Sequence, residues 1–411
     1  MSVDSKEPEI RFKGFSGYWE KKHLNHEVEL FSGLTYSPKD IREKGVFVIR
    51  SSNVKNGQIV QADNVYVNPE VINCSNVQKG DIIVVVRNGS RSLIGKHAQI
   101  NTCLDNTVIG AFMTGVRSDS PEFINALFDT NKFTAQVEKN LGATINQITN
   151  GAFNSMVFMF PEDQEKTAIG NFFQKLDALI NQHQQKHDKL NSIKKSMLEK
   201  MFPKKGKVIP EIRFRGFSND WFEVKLGEIA RIKGRLGWKS LKQNEYLSEG
   251  PAMIAGKHIE NGHIDWSKVD HIPEWRYIES PEIILKNGDV IFSKDGSLGN
   301  PAVVSNLQCK ATINSTMMLV RPSNNLDSNF FYQVLNTKPF KELIKEKVSG
   351  SSIPHLFQAD MKLFKFYSTS LEEQYKIGIY FKQIDSLINQ HQQQITKLNN
   401  IKQACLSKMF V

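Results

Sequence analysis

Two stretches of the chain carry apolar residues at heptad spacing. With Ile169, Leu176, His183, Leu190 and Met197 at position a, position d holds Phe172, Leu179, Lys186, Ile193 and Lys200. The pattern returns with Ile377, Ile384, His391, Leu398 and Cys405 at a, and Tyr380, Leu387, Gln394, Ile401 and Lys408 at d. Phe173, Ile180 and Met201, and then Phe381, Ile388, Ile395 and Met409, widen the stripe at e. A period near 3.5 without an internal proline predicts two long helices paired along an a/d seam. Each would run about 38 residues, or about 57 Å. The polar seam residues His183, Lys186, His391 and Gln394 are expected to set register at some cost in stability. Two histidines with no third ligand in view do not make a metal site, and none is expected.

Elsewhere the pattern is that of short strands broken by turns. In a first block, residues 24–150, Val46-Phe47-Val48-Ile49 is followed by Asn56-Gly57 and Ile59-Val60. Gly80-Asp81 then opens the β-branched run Ile82 to Val86, which predicts a buried strand. A helix is expected from Pro121 to about Asn140, with Ser120 as its cap. A second block, residues 224–360, has counterparts in Asn261-Gly262, in Gly288-Asp289-Val290-Ile291-Phe292, and in a helix from about Asn329 to Lys347.

The whole layout is duplicated. Leu176-Asp177-Ala178-Leu179-Ile180-Asn181-Gln182-His183-Gln184-Gln185 returns as Ile384-Asp385-Ser386-Leu387-Ile388-Asn389-Gln390-His391-Gln392-Gln393, and both helices end in Lys-Met-Phe. A lead-in, Pro8-Glu9-Ile10-Arg11-Phe12-Lys13-Gly14-Phe15, returns as Pro210-Glu211-Ile212-Arg213-Phe214-Arg215-Gly216-Phe217. Such a period is far beyond that of solenoid repeats and means duplicated domains. The segments are 1–23 (lead-in), 24–150 (block), 151–206 (helix), 207–223 (lead-in), 224–360 (block) and 361–411 (helix). The expected fold is mixed α/β (α+β): two similar globular domains joined by two long antiparallel helices in an intramolecular coiled coil, with pseudo-twofold symmetry. Landmarks repeat while most residues between them differ, which predicts a shared scaffold with two different surfaces.

Composition changes this picture little: 411 residues, 40% hydrophobic and 23% charged, are ordinary for globular domains. No membrane span or signal peptide is expected, so the protein is placed in the cytoplasm. Cys74, Cys103, Cys309 and Cys405 are too scattered for a zinc cluster or a disulfide framework. The net charge of +10 favours a polyanionic partner, and nucleic acid is the commonest.

Catalytic signatures are missing. Gly89 to Gly95-Lys96-His97 and Gly250 to Gly256-Lys257-His258 fail as phosphate loops, with one residue too many and His where Ser or Thr belongs. Neither HExxH, GxSxG, CxxC nor an Asn-Pro-Pro-aromatic motif occurs, so no catalytic residue is assigned. Glu162-Asp163 and Glu372-Glu373 read as favourable charges at the positive ends of the helices. What remains is polar loop chemistry suited to reading base edges, with Arg or Lys for guanine and Asn or Gln for adenine. The first block offers Arg87, Asn88, Ser90, Arg91, Lys96, Thr144, Asn146 and Gln147. The second offers Lys257, His258, Lys294, Asp295, Ser297, Ser351, Ser352, His355 and Gln358, with Arg235 and Lys239 placed to grip phosphates.

The duplicated lead-ins, Gly-Asp strand starts and Asp-x-Leu-Ile-Asn-Gln-His-Gln-Gln helices resemble the specificity subunit of type I restriction–modification systems over essentially the whole chain. Glu373-Gln374 before the second helix fits that family, with Asp163-Gln164 standing for it before the first. The resemblance implies that each block is a target recognition domain reading one half of a split double-stranded DNA sequence, with the helices setting the gap. It implies that lead-ins and helices dock two modification subunits, which bring S-adenosylmethionine and methylate adenine N6. Restriction subunits would add ATP- and Mg-dependent translocation and cleavage, so no cofactor is expected on this chain. Two other readings are a stand-alone DNA-binding regulator built as an intramolecular pseudo-dimer, and a purely structural coiled-coil adaptor.

Overall fold

The computed structural model describes residues 6–141, 146–234, 241–349 and 354–411. The chain forms two compact units, Met1–His183 with Gln394–Val411, and Gln184–Gln393.

The strands of the first unit are β1 (Glu20–His23), β2 (Glu29–Ser32), β3 (Ile41–Arg42), β4 (Val46–Ile49), β5 (Val54–Lys55), β6 (Gln58–Ile59), β7 (Val65–Val67), β8 (Ile82–Val85), β9 (His97–Gln99), β10 (Thr107–Ile109), β11 (Met113–Arg117) and β12 (Val157–Phe160). They build an antiparallel sheet in the order β2-β11-β8-β9 and a second sheet in the order β10-β4-β7-β3, where β10 and β4 run parallel. A β5–β6 hairpin and a β1–β12 ribbon complete it. Helices α1 (Pro121–Phe128), α2 (Asn131–Asn140) and α3 (Asn150–Asn154) precede the long α4 (Asp163–Lys200).

The second unit repeats this plan with β13 (Phe222–Lys225), β14 (Ala230–Gly234), β15 (Leu247–Ile254), β16 (Ile259–Glu260), β17 (His263–Ile264), β18 (Asp270–His271), β19 (Val290–Ser293), β20 (Gly299–Val303), β21 (Ala311–Ile313), β22 (Met317–Pro322) and β23 (Lys365–Ser368). Its sheets run β14-β22-β19-β20 and β18-β15-β21, with a β13–β23 ribbon and a β16–β17 hairpin. Its helices are α5 (Leu226–Ile229), α6 (Glu274–Ile278), α7 (Ser328–Val334), α8 (Lys338–Ser349), α9 (Gln358–Leu363) and the long α10 (Leu371–Met409).

The buried β-branched run is the centre of each unit. In β8, Ile82 and Val84 face a core with Trp19, Phe123, Phe160 and Phe173, while Ile83 and Val85 face a second core with Ile49 and Ile109. The period of two splits one strand between two cores, so every residue of it is apolar. In β19, Val290 and Phe292 face one core and Ile291 another. The Gly-Asp step before each strand is a tight turn: Gly80 and Gly288 take positive φ, which glycine tolerates. Asp81 accepts the amide of Gln78 and a two-pronged contact from Arg117 at 2.9 and 2.8 Å. Asp289 does the same with Lys286 and Arg321.

The helices predicted over 121–140 and 329–347 are each broken in two. Thr130 leaves the helical conformation to cap α2, accepting the amide of Phe133. In the second unit α7 ends at Val334 and α8 starts at Lys338, followed by Pro339 at a position where its missing N–H costs nothing. Ser120 makes no side-chain cap, although Pro121 does open α1.

Each unit contains an antiparallel helix pair, the first part of one long helix against the last part of the other. In the first unit Lys402 reaches Asp177 at 2.5 Å while Phe410 packs on Phe173. In the second, Lys194 reaches Asp385 at 2.6 Å while Phe202 packs on Phe381. The a/d seam needs correction. Ile169, Leu176, Ile377 and Ile384 at a are buried, and the residues buried with them are Phe173, Phe381, Ile388 and Ile395 at e. The d residues Leu179, Leu387 and Ile401 are exposed (47%, 44% and 39%), while His183, Leu190, Ile193, His391 and Leu398 are half-buried. Each helix packs against a globular domain as well as against the other helix, so its apolar stripe is turned toward e.

The lead-ins fasten the helix ends. Arg11 forks onto Glu165 near the start of α4 (2.8 and 2.7 Å), while the Ile10 amide donates to Lys408 O near the end of α10 (3.0 Å). Arg213 forks onto Glu373 near the start of α10 (2.6 and 2.8 Å), while the Ile212 amide donates to Lys200 O at the end of α4 (2.9 Å). Glu373 therefore corresponds to Glu165, not to Asp163; both glutamates are fully buried, and Glu372 and Glu373 stand in the first turn of α10, where carboxylates face the positive end of the helix.

Candidate nucleic-acid interface

Both units carry the same backbone clip at the open end of the central strand. In the first, the segment after β8 is held to the segment before α3: Ile148 N donates to Val86 O (2.9 Å) and Asn88 N to Asn146 O (3.3 Å). In the second, Leu356 N donates to Lys294 O (2.9 Å) and Gly296 N to Pro354 O (3.3 Å). Each clip makes one bridge pair, Arg87 with Gln147 and Asp295 with His355. A short turn abuts each clip. Asn88 Nδ2 donates to Ser51 Oγ at 3.2 Å, and Gly256 sits so close to Ser293 that a Cβ there would lie 2.4 Å from its hydroxyl.

The side chains at the two clips differ. In the first unit Arg87 lies over the ring of Phe112, 5.0 Å from its centre, and Phe112 is 53% exposed. Asn88 Oδ1 accepts the Ser90 amide, and Asn146 Nδ2 donates to Gly89 O. Ser90 and Ser92 share a hydroxyl contact at 2.9 Å. Arg91 is exposed on the following turn and Lys96 is half-buried at its end. In the second unit the Asp295 carboxylate accepts from Lys294 Nζ (2.7 Å) and from His355 Nδ1. The His355 ring lies 4.2 Å from that of Phe357, which is 59% exposed. Ser297 is exposed, and Gln358 opens α9.

The structure thus groups Arg87, Asn88, Ser90, Asn146 and Gln147 in one place, and Lys294, Asp295 and His355 in another. Lys257 stands on the neighbouring turn, paired with Asp270 at 3.0 Å. His258 on the same turn is buried, and its Nδ1 accepts the Ala255 amide at 3.0 Å. Burial holds its pKa below the usual value, Lys257 adding to the effect and Asp270 opposing it. Its place in the turn is that of Asn53, which accepts the Arg50 amide in the first unit. Thr144, Arg235, Lys239, Ser351 and Ser352 lie outside the described residues. Phe112 and Phe357, the exposed aromatics of the two clips, are not among the residues that loop composition singles out. Among the described residues, no group of three or more His, Cys, Asp or Glu could hold a metal ion, and no helix is long and apolar enough to cross a membrane.

Residues 17–192 and 218–400 match the type I restriction modification DNA specificity domain, once per unit of the repeat. The chain belongs to that family of specificity proteins. It is 22% identical over 416 residues to the type I restriction enzyme StySPI specificity subunit of Salmonella potsdam, covering 95% of this chain and 88% of that one. It is 22% identical over 277 residues to the MjaVIII specificity subunit of Methanocaldococcus jannaschii, covering 66% of this chain and 64% of the relative. Its fold is similar to the crystal structure of the type I restriction-modification S subunit from M. genitalium, with a TM-score of 0.70, 16% identity, and 98% and 99% of the two chains covered.

Proposed function

We propose that this chain is the DNA-recognition and scaffold subunit of a type I restriction–modification complex, each unit reading one half of a bipartite target in double-stranded DNA. The observation that carries this reading is the duplicated clip: one backbone geometry displays Arg87 and Gln147 in one unit, Asp295 and His355 in the other. Equal scaffolds with unlike side chains suit two half-sites of different sequence. The chain acts without chemistry of its own. Two modification subunits bring S-adenosylmethionine and methylate adenine N6, and restriction subunits bring ATP and Mg. The exposed, duplicated Leu179 and Leu387 are the places on the helices where such partners would bury apolar surface. The complex works where its DNA is, in the cytoplasm.

The test is a domain exchange. Replacing residues 24–150 with the corresponding block of a distant relative, then mapping N6-methyladenine across a genome, is expected to change one half of the methylated sequence. The other half stays as it was. If both halves change, or neither does while the complex still methylates, the reading fails.

A further inference from the structure

The clip does more than close the loop. Its two bridge positions stand at the same scaffold place in both units, fixed by the same pair of backbone hydrogen bonds. At that place the chemistry is inverted, a guanidinium in one unit and a carboxylate in the other. We propose that this pair is a specificity-determining position of each unit: Arg87 takes the two acceptors of a guanine in the first half-site, and Asp295 takes the exocyclic amino group of a cytosine in the second. This rests on the function proposed above and adds the residues and base classes.

Three observations carry it. First, Arg87 keeps its donors unspent. Arg11, Arg117, Arg213, Arg276 and Arg321 are all forked onto carboxylates. Among the described residues the Arg87 guanidinium has no carboxylate or carbonyl partner and is positioned by the Phe112 ring alone. A planar five-donor fork held over an aromatic face is pre-organised for two acceptors side by side, which guanine O6 and N7 supply in the major groove. Second, Asp295 is an acceptor held from two sides. Lys294 and His355 each take one lone pair, and a carboxylate offers about four, so two remain for an incoming amino group. Cytosine N4 is the base group a carboxylate reads. Third, each clip exposes one phenylalanine, and the two come from different segments. Phe112 precedes β11, where the second unit has Thr316; Phe357 precedes α9, where the first unit has Thr149. Each ring backs the polar side chain of its own clip, Phe112 under the Arg87 guanidinium at 5.0 Å and Phe357 against the His355 ring at 4.2 Å.

The experiment uses the full chain assembled with its modification subunits. Duplexes carry the wild-type methylation sequence or one substituted base pair at each position, and the rate of N6-methylation is read on all of them. For Arg87→Gln, discrimination at one position of the first half-site is expected to fall by about 5- to 150-fold, the usual worth of a two-pronged base contact. Preference there should move from guanine toward adenine, with the second half-site unchanged. Arg87→Lys keeps the charge but loses the fork, and should lose part of that discrimination. Asp295→Asn should relax one position of the second half-site and leave the first alone. Uniform weakening across all sequences, with a shallower salt dependence, would make Arg87 a phosphate contact and overturn the proposal. So would unchanged discrimination, or a change in the opposite half-site. A melting temperature for each variant separates loss of reading from loss of fold. If the wild type showed no bipartite sequence at all, the broader function would fall. A bipartite wild type with silent variants sinks only this assignment.

Discussion

Replacing Glu373 by glutamine tests how the lead-in holds the fold. The Glu373 side chain is fully buried and Arg213 is only 11% exposed. The carboxylate takes both prongs of the guanidinium and the hydroxyl of Thr369. Glutamine keeps the volume and one acceptor but removes the charge, and turns an NH2 toward the Arg213 guanidinium, which can only donate. Removing one member of a buried pair leaves the other charge uncompensated, at a cost of about 3–5 kcal/mol. For a unit of 150–250 residues, 1 kcal/mol moves the melting temperature by about 2–4 °C, so the expected fall is about 6–20 °C. Calorimetry of the whole chain reads this as a shift of one transition, and fluorescence of the buried Trp221 assigns it to the second unit. Glu165→Gln should do the same in the first unit, reported by Trp19. The double replacement Arg213→Met with Glu373→Leu should recover most of the loss, because an apolar pair of similar volume carries no uncompensated charge. A shift below about 2 °C for Glu373→Gln, or a double variant as unstable as the single, would refute this account of the anchor.

Three further outcomes are expected. Gly378→Ala places a Cβ 2.6 Å from Asp327 Oδ1 and 3.0 Å from the Phe330 amide, where α7 meets α10, and should cost about 1–3 kcal/mol by urea unfolding, as Gly170→Ala should in the first unit. Lys402→Met strips Asp129 and Asp177 of their shared cation at 2.7 and 2.5 Å, and should cost about 1–3 kcal/mol, with the loss confined to the transition of the first unit. Burial raises the pKa of Asp129, but its hydrogen bond to His97 and the nearby charges of His97 and Lys402 outweigh it and hold it down to about 2. A depressed carboxyl contributes stability that is complete above its unfolded pKa and lost as pH falls through the folded one, so this contribution should fade between about pH 4 and pH 2. Carboxyl NMR of Asp129 checks it, and an apparent pKa near 4 would count against the network.

The repeat made the architecture legible, because each landmark had a second copy against which to set its limits. The Gly-Asp steps and the long helices stood out for that reason. The seam was misassigned at Leu179, Leu387 and Ile401 because a heptad assumes one partner, and these helices have two. The break before Asn131 did leave a sign, since Thr130 is a good cap, but the helical pattern on either side masked it. The anchors Arg11–Glu165 and Arg213–Glu373 join segments far apart in the chain, and spacing alone does not pair them. At the interface, polar loop residues were found by type, whereas His258 looks the same in sequence whether it faces solvent or caps a turn. Phe112 and Phe357 were passed over because an aromatic residue reads as core until its surroundings are known.

The lead-in contact also separates chain order from architecture. Ile212 and Lys200 meet across a short covalent connection, whereas Ile10 and Lys408 make the same contact with nearly the whole chain between them. One junction is therefore closed by the backbone itself and the other is a noncovalent copy of it. Joining the copy with a short linker and opening the chain between Lys204 and Val208 should yield a circular permutant that folds to the same two units and, assembled with modification subunits, directs methylation to the same sequence. A permutant that fails to assemble would show that the covalent connection does something its copy does not.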